Sequence, residues 1–148
     1  MRIVVDADAC PKSVLSICFC LGREYSLPVL TVANHHHIID SPNHVLVGGD
    51  PEETDIKIAN LVTRADIVVT QDWGLAAIVL GRGAYCLSLT GMEYRAGTIE
   101  FMLEERDLKA RHRRGGGRTK GPRKRTAGDD ERFKAQLEQI ICRIQPSS

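Results

Sequence analysis

Long apolar runs are missing from this chain: nothing in it approaches the roughly 20 consecutive residues that a membrane-spanning helix needs. The opening Met1-Arg2-Ile3-Val4-Val5-Asp6 reaches an acid after only three apolar residues, so no signal peptide is expected. Cysteine is sparse and poorly spaced. The five residues, Cys10, Cys18, Cys20, Cys86 and Cys142, are odd in number and contain no Cys-x-x-Cys pair. That argues against both a disulfide framework and a thiolate zinc site. A reducing, cytoplasmic compartment is the expectation. Internal repeats are absent as well. What is present suits one ordinary domain: 148 residues, 43% hydrophobic and 26% charged, near the average for globular chains.

The formal net charge is only +1, but it is unevenly spread. Between Arg106 and Arg125 lie ten of the twenty Lys and Arg residues, against the single acid Asp107. The other 128 residues hold ten bases and eighteen acids, a net of −8. An acidic body joined to a basic stretch says more about partners than the total does.

Residues 2–5 form a short β-branched run that ends at Asp6, as a central parallel strand would. Pro11 suits the first turn of a helix over about 11–24, with Leu15, Cys18, Phe19 and Gly22 at helical spacing. Val29–Ala33 reads as a second strand, Asn34–Asn43 as a loop and Val45–Val47 as a short strand. Asp50, Pro51 and Glu53 predict a capped helix start, followed by the apolar face Ile58, Leu61 and Val62. Ile67–Thr70 predicts a strand, residues 73–80 a helix closed by Gly81 and Gly83, and Tyr85–Leu89 another strand. Thr98 is placed to cap a helix running to about 109. Strands alternating with helices imply βαβ crossovers. The predicted fold is therefore α/β, three layers around a mostly parallel sheet of four to five strands, over residues 1–110. Residues 111–128 have no apolar periodicity and are expected to be a flexible basic segment. Residues 129–148 are expected to form a C-terminal helix, capped by Asp129 or Asp130, that docks on the core through Phe133, Leu137, Ile140, Ile141 and Ile144.

In parallel α/β sheets, ligands bind beyond the carboxyl ends of the strands. Asp6 and Asp8 follow the first strand, Asp72 follows the strand ending at Thr70, and Asp55 lies in the first turns of the Asp50-capped helix. Crowded carboxylates need a cation or a proton to neutralise them. With no imidazole or thiolate in the pattern, the ion expected is Mg²⁺ or Mn²⁺. Asp6, Asp55 and Asp72 are the expected ligands, with Asp8 as ligand or base and Thr70 in support. Asp50 is a further acid at this edge, better explained as a helix cap.

Two segments then carry a resemblance. Asp55-Ile-Lys-Ile-Ala59 followed by Asp66-Ile-Val-Val-Thr-Gln-Asp72 resembles the paired signature of PIN-like nuclease domains. More specifically, Val5-Asp6-Ala7-Asp8-Ala9-Cys10-Pro11, Thr70-Gln-Asp72-Trp-Gly-Leu-Ala76 and Gly121-Pro122 resemble the YaiI/YqxD family, a PIN-like group, over nearly the whole chain. The resemblance implies a metal-dependent ribonuclease-type site with Asp6, Asp55 and Asp72 as ligands. It also exposes a departure. PIN nucleases have another acid on a helix between the first strand and the Asp-x-x-Ile-Ala element. Here Glu24 and Asp40 are the candidates; otherwise Asp8 substitutes, or the site is catalytically weak.

Arg111, Arg113, Arg114, Arg118, Lys120, Arg123, Lys124 and Arg125 are the expected phosphate contacts for RNA or another single strand, with Gly115–Gly117 allowing close backbone approach. His35-His36-His37 is better read as a loop than as a metal site. Trp73 is better read as packing under its helix than as a base-stacking platform. Two other functions compete with a nuclease. One is a non-catalytic RNA-binding or ribosome-associated module on the same fold. The other is a phosphatase, because the strand followed by Asp6-x-Asp8 also resembles the first motif of haloacid-dehalogenase-type enzymes. Those enzymes need a later acidic pair after an apolar strand, and the only pair here, Asp129-Asp130, follows the basic stretch.

Overall fold

The structure is a computed structural model that describes residues 1–8, 10–34, 41, 43–97, 99–100 and 124–145. Its elements run β1 (Ile3–Asp6), α1 (Lys12–Glu24), β2 (Val29–Asn34), β3 (His44–Val47), α2 (Pro51–Leu61), β4 (Ile67–Val69), α3 (Trp73–Gly81), β5 (Tyr85–Leu87), β6 (Glu93–Tyr94) and α4 (Ala127–Ile144). Residues 96–97 and 99–100 are helical, with the Ile99 N–H bonding the Arg95 carbonyl at 2.9 Å, so the helix expected from Thr98 is already under way before that residue. Thr98 itself, residues 101–109 of the expected helix, the histidine run at 35–37 and the basic stretch from Arg106 to Arg123 lie outside the described residues.

The six strands make one sheet in the order β3-β2-β1-β4-β5-β6. Every pairing is parallel except β5 with β6. This is one strand more than the upper expectation. The extra one, β6, is two residues long, too short to show a period in sequence. It follows a tight turn held by Ser88, whose Oγ accepts from the Met92 N–H at 3.0 Å. At that turn Gly91 has φ of 90° and lies so close to α4 that a Cβ would meet the Arg132 carbonyl at 2.7 Å. Only glycine suits both demands.

Strand alternation sorts the core into two halves, one on each face of the sheet. Ile3, Val5, Ile67, Val69 and Leu87 face α1 and α4, meeting Val14, Cys18, Leu21, Phe133, Leu137, Ile140 and Ile141. Val4, Val32, Val68 and Cys86 face α2 and α3, meeting Ile58, Ala59, Val62, Leu75, Ala76 and Val79. The layers are therefore α/β/α, as expected. Among the described residues no helix is long and apolar enough to cross a membrane.

Three local expectations need correction. Pro11 precedes α1 rather than opening it, with the Val14 N–H bonding its carbonyl at 3.1 Å. Glu53 closes no capping box; its carboxylate lies over Gly48, while Asp50 alone caps α2 by accepting from the Glu52 N–H at 3.0 Å. The cap of α4 is Thr126, and Asp129 is its reciprocal partner three residues on. The helix thus begins earlier than its acidic pair suggested, because the hydroxyl and the carboxylate each satisfy a backbone donor.

At the amino edge of the sheet, Asp66 is fully buried and closes a lock just before β4. It accepts from the Arg2 N–H at 3.0 Å and from Thr63 N–H and Oγ1 at 2.9 and 3.0 Å, and it pairs with the Arg2 guanidinium at 2.9 Å. Burial pushes its pKa up, but the bonds from Arg2 and Thr63 outweigh that and hold it below the usual value. Such a group adds stability above the ordinary carboxylate range, and that stability is lost as pH falls through its lowered folded value. Asp66→Ala is expected to cost on the order of 3 kcal/mol at neutral pH by urea denaturation, with the two proteins converging in acid. Equal midpoints at neutral pH would refute the lock.

Candidate functional site

The same alternation that fills the core aims the acids. Val4 and Val68 face α2 and α3, so Asp6 and Thr70, two residues further along adjacent parallel strands, emerge on that side too. The Thr70 hydroxyl donates to Asp6 Oδ2 at 2.8 Å and accepts from the Asp72 N–H at 3.0 Å. One buried hydroxyl thereby links the acid ending β1 to the acid beginning α3. Asp72 caps α3, its Oδ1 accepting from the N–H groups of Gly74 and Leu75 at 2.8 and 3.2 Å. Asp55 stands one turn above Ile58 and Ala59 on the buried stripe of α2, which turns its carboxyl toward the same edge. Asp8, just beyond β1, accepts from the Asn34 N–H at the end of β2 at 2.7 Å.

These four carboxyls act on one another. Burial, then a side-chain hydrogen bond to Asp72, then the charges of Asp72, Asp6 and Asp8 push Asp55 up to about 7. Asp6 is also raised, chiefly by burial, against the Thr70 hydrogen bond and with the charges of Asp8 and Asp72 adding to the rise. Burial and then the nearby Asp6 carboxylate push the Cys10 thiol up to about 12, with Arg125 opposing. The acids therefore stand near enough for their charges to raise both Asp55 and Asp6. They do not form a finished ligand cage: among the described residues, no three His, Cys, Asp or Glu side chains stand in metal-ligating arrangement.

Other expected site residues fall elsewhere. Asp50 is an exposed cap outside this group. Glu24 ends α1, which runs back from the carboxyl edge, so it is exposed at the far side of the molecule and cannot be the missing acid; Asp40 lies outside the described residues. Trp73 is half-buried against the α2/α3 core, the packing role expected for it. Gln71, next to Asp72 in the chain and not among the expected site residues, has its Oε1 accepting from the Leu89 N–H at 3.1 Å.

Of the basic residues, Lys124 is exposed. Arg125 is not presented to solvent as a phosphate contact. It donates to the Leu89 carbonyl at 2.6 Å and pairs with Asp130 at 2.7 Å, where Ser13 Oγ also donates at 2.9 Å. This tie was missed in sequence, where Arg125 looked like its basic neighbours. Asp129 and Asp130 are likewise engaged, Asp129 by Arg132 within α4 and Asp130 by Arg125.

Comparison with known proteins gives a consistent result. Residues 4–143 match the family model described as "Uncharacterized BCR, YaiI/YqxD family". A UPF0178 protein of Heliobacterium modesticaldum is 54% identical over 141 residues, covering 95% of this chain and 97% of that protein. One from Clostridium acetobutylicum is 42% identical over 97% of this chain and 98% of its own. One from Bacillus cereus strain B4264 is 36% identical over 96% and 99%. No solved structure matches the chain significantly.

The raised acids set the pH dependence. A carboxyl whose folded pKa lies above its unfolded value favours folding fully below the ordinary carboxylate range, and that contribution is lost as pH rises through the folded pKa. In chelator, the wild type is therefore expected to lose thermal stability as pH rises toward about 7. Asp55→Asn removes most of that loss and melts higher than wild type on the alkaline side. Superimposable melting profiles across this range would show that the four acids do not repel one another.

Proposed function

The chain belongs to the YaiI/YqxD family, and from that membership and the converging aspartates we propose that it is a divalent-metal-dependent, PIN-like nuclease acting on RNA or single-stranded nucleic acid. The observation that carries this reading is the hydrogen-bonded link of Asp6 through Thr70 to Asp72 at the carboxyl edge of a parallel sheet, with Asp55 pushed up beside the charges of Asp72, Asp6 and Asp8. Carboxyls crowded in this way are ones that a cation relieves. The donors are all carboxylate oxygens, a set that fits Mg²⁺ or Mn²⁺ and not a softer metal.

Asp6, Asp55 and Asp72 would hold the ion. When bound there, such an ion neutralises phosphate charge and makes water a better nucleophile. The residues around it supply position. Thr70 fixes the Asp6 carboxylate through Oδ2, and the cap bonds of Asp72 fix its Oδ1. Asp8, tied to the end of β2, serves as a further ligand or as proton acceptor. The basic stretch from Arg106 to Lys124 supplies sequence-independent phosphate attraction, which falls with salt.

Calorimetry with Mn²⁺ tests the site: Asp6→Asn combined with Asp72→Asn is expected to abolish binding, and a double variant that binds as tightly as wild type would refute the assignment. The chemistry is tested with single-stranded RNA, expected to be cut in Mn²⁺ and spared in EDTA. Salt-sensitive RNA binding that survives chelation, without cleavage in Mn²⁺, would instead identify a non-catalytic RNA-binding module. A hydroxylamine-trapped adduct on Asp6 would identify a phosphatase.

A further inference from the structure

The two margins of the sheet are finished differently. At one, the chain turns back as antiparallel β6 and is packed against α4 through Gly91. At the other, β3 pairs with β2 and, among the described residues, with nothing else. An open margin of this kind offers a row of backbone donors and acceptors, and proteins commonly guard it with charge or proline. The strand His44-Val45-Leu46-Val47 has neither.

Apolar side chains flank this margin on both faces. Val45 and Val47 pack toward the α2/α3 core, so alternation puts Leu46 on the opposite face, where it is 60% exposed. On the α2 side, Ile56 is 56% exposed and lines a groove of about 330 Å³ with Val47, Glu53 and Lys57. The charges in that groove are one acid and one base.

We propose that β3 is the dimer interface of this protein, pairing antiparallel with β3 of a second copy across a two-fold axis perpendicular to the sheet. Such an axis sets like faces side by side, so Leu46 adjoins Leu46 of the copy on one face and the α2 grooves adjoin on the other. A groove holding one acid and one base is complementary to its own copy, each sign having its opposite to meet. A nucleic acid would need an excess of positive charge, which this face lacks. Pairing joins the two six-stranded sheets into one and points the two acidic edges in opposite directions.

Analytical ultracentrifugation of the full chain tests this. Wild type is expected to sediment at twice the 16.4 kDa chain mass in the micromolar range. Leu46→Lys and Ile56→Glu, both at exposed positions, are expected to weaken association at least about tenfold while circular dichroism and melting temperature stay at wild-type values. A wild type that remains monomeric overturns the proposal. A dimer that persists unchanged in both folded variants overturns it as well.

Discussion

The parallel register of β1 with β4, Ile3 opposite Ile67 and Val5 opposite Val69, governs everything at the carboxyl edge. It brings Asp6 level with Thr70, and their hydrogen bond couples the end of one strand to the start of the helix that follows the other. A slip of one residue would turn Asp6 into the α1/α4 face and bury a charge among Val14, Cys18 and Phe133. The packing of valines and isoleucines on both faces forbids that slip. Hydrophobic burial, rather than any attraction among the acids, therefore assembles the site. The acids oppose one another, and the core tolerates the opposition.

That opposition separates stability from function. Asp66 and the group around Asp55 are acids of the same chain with opposite fates. Asp66 lies at the amino edge with a guanidinium and three further donors, and its charge strengthens the fold. Asp55 lies where its strongest influences are burial and three other aspartates. Local destabilisation of this kind is typical of sites shaped by a ligand rather than by folding alone.

Much of this was readable in the residues. β-branched runs ending in Asp6 and Thr70, and the Asp50-Pro51 helix start, placed all four acids, Asp6, Asp8, Asp55 and Asp72, at one edge, because strand polarity needs only the order of strands and crossovers. The apolar face of α4 was also legible, since five residues at helical spacing leave little choice. What escaped was set by tertiary contact. Nothing local marks Arg125 as a base that bonds Leu89, or Gln71 as the clip on that same residue. β6 exists because Ser88 and Gly91 shape a turn against α4, a partner more than thirty residues away. Glu24 could be dismissed only once the direction of α1 was known.

The Arg2–Asp66 pair bears on how an ion would find the molecule. Asp66 meets a guanidinium at one end of the strands, while at the far end burial and the charges of Asp72, Asp6 and Asp8 push Asp55 up, so the two ends differ in how their acids are met. On the proposed metal-binding reading, a diffusing cation would be drawn toward the carboxyl edge rather than toward Asp66, whose charge Arg2 already meets. Capture by such a field is a matter of encounter rate. It weakens with ionic strength, since the Debye length shrinks to about 8 Å at physiological salt.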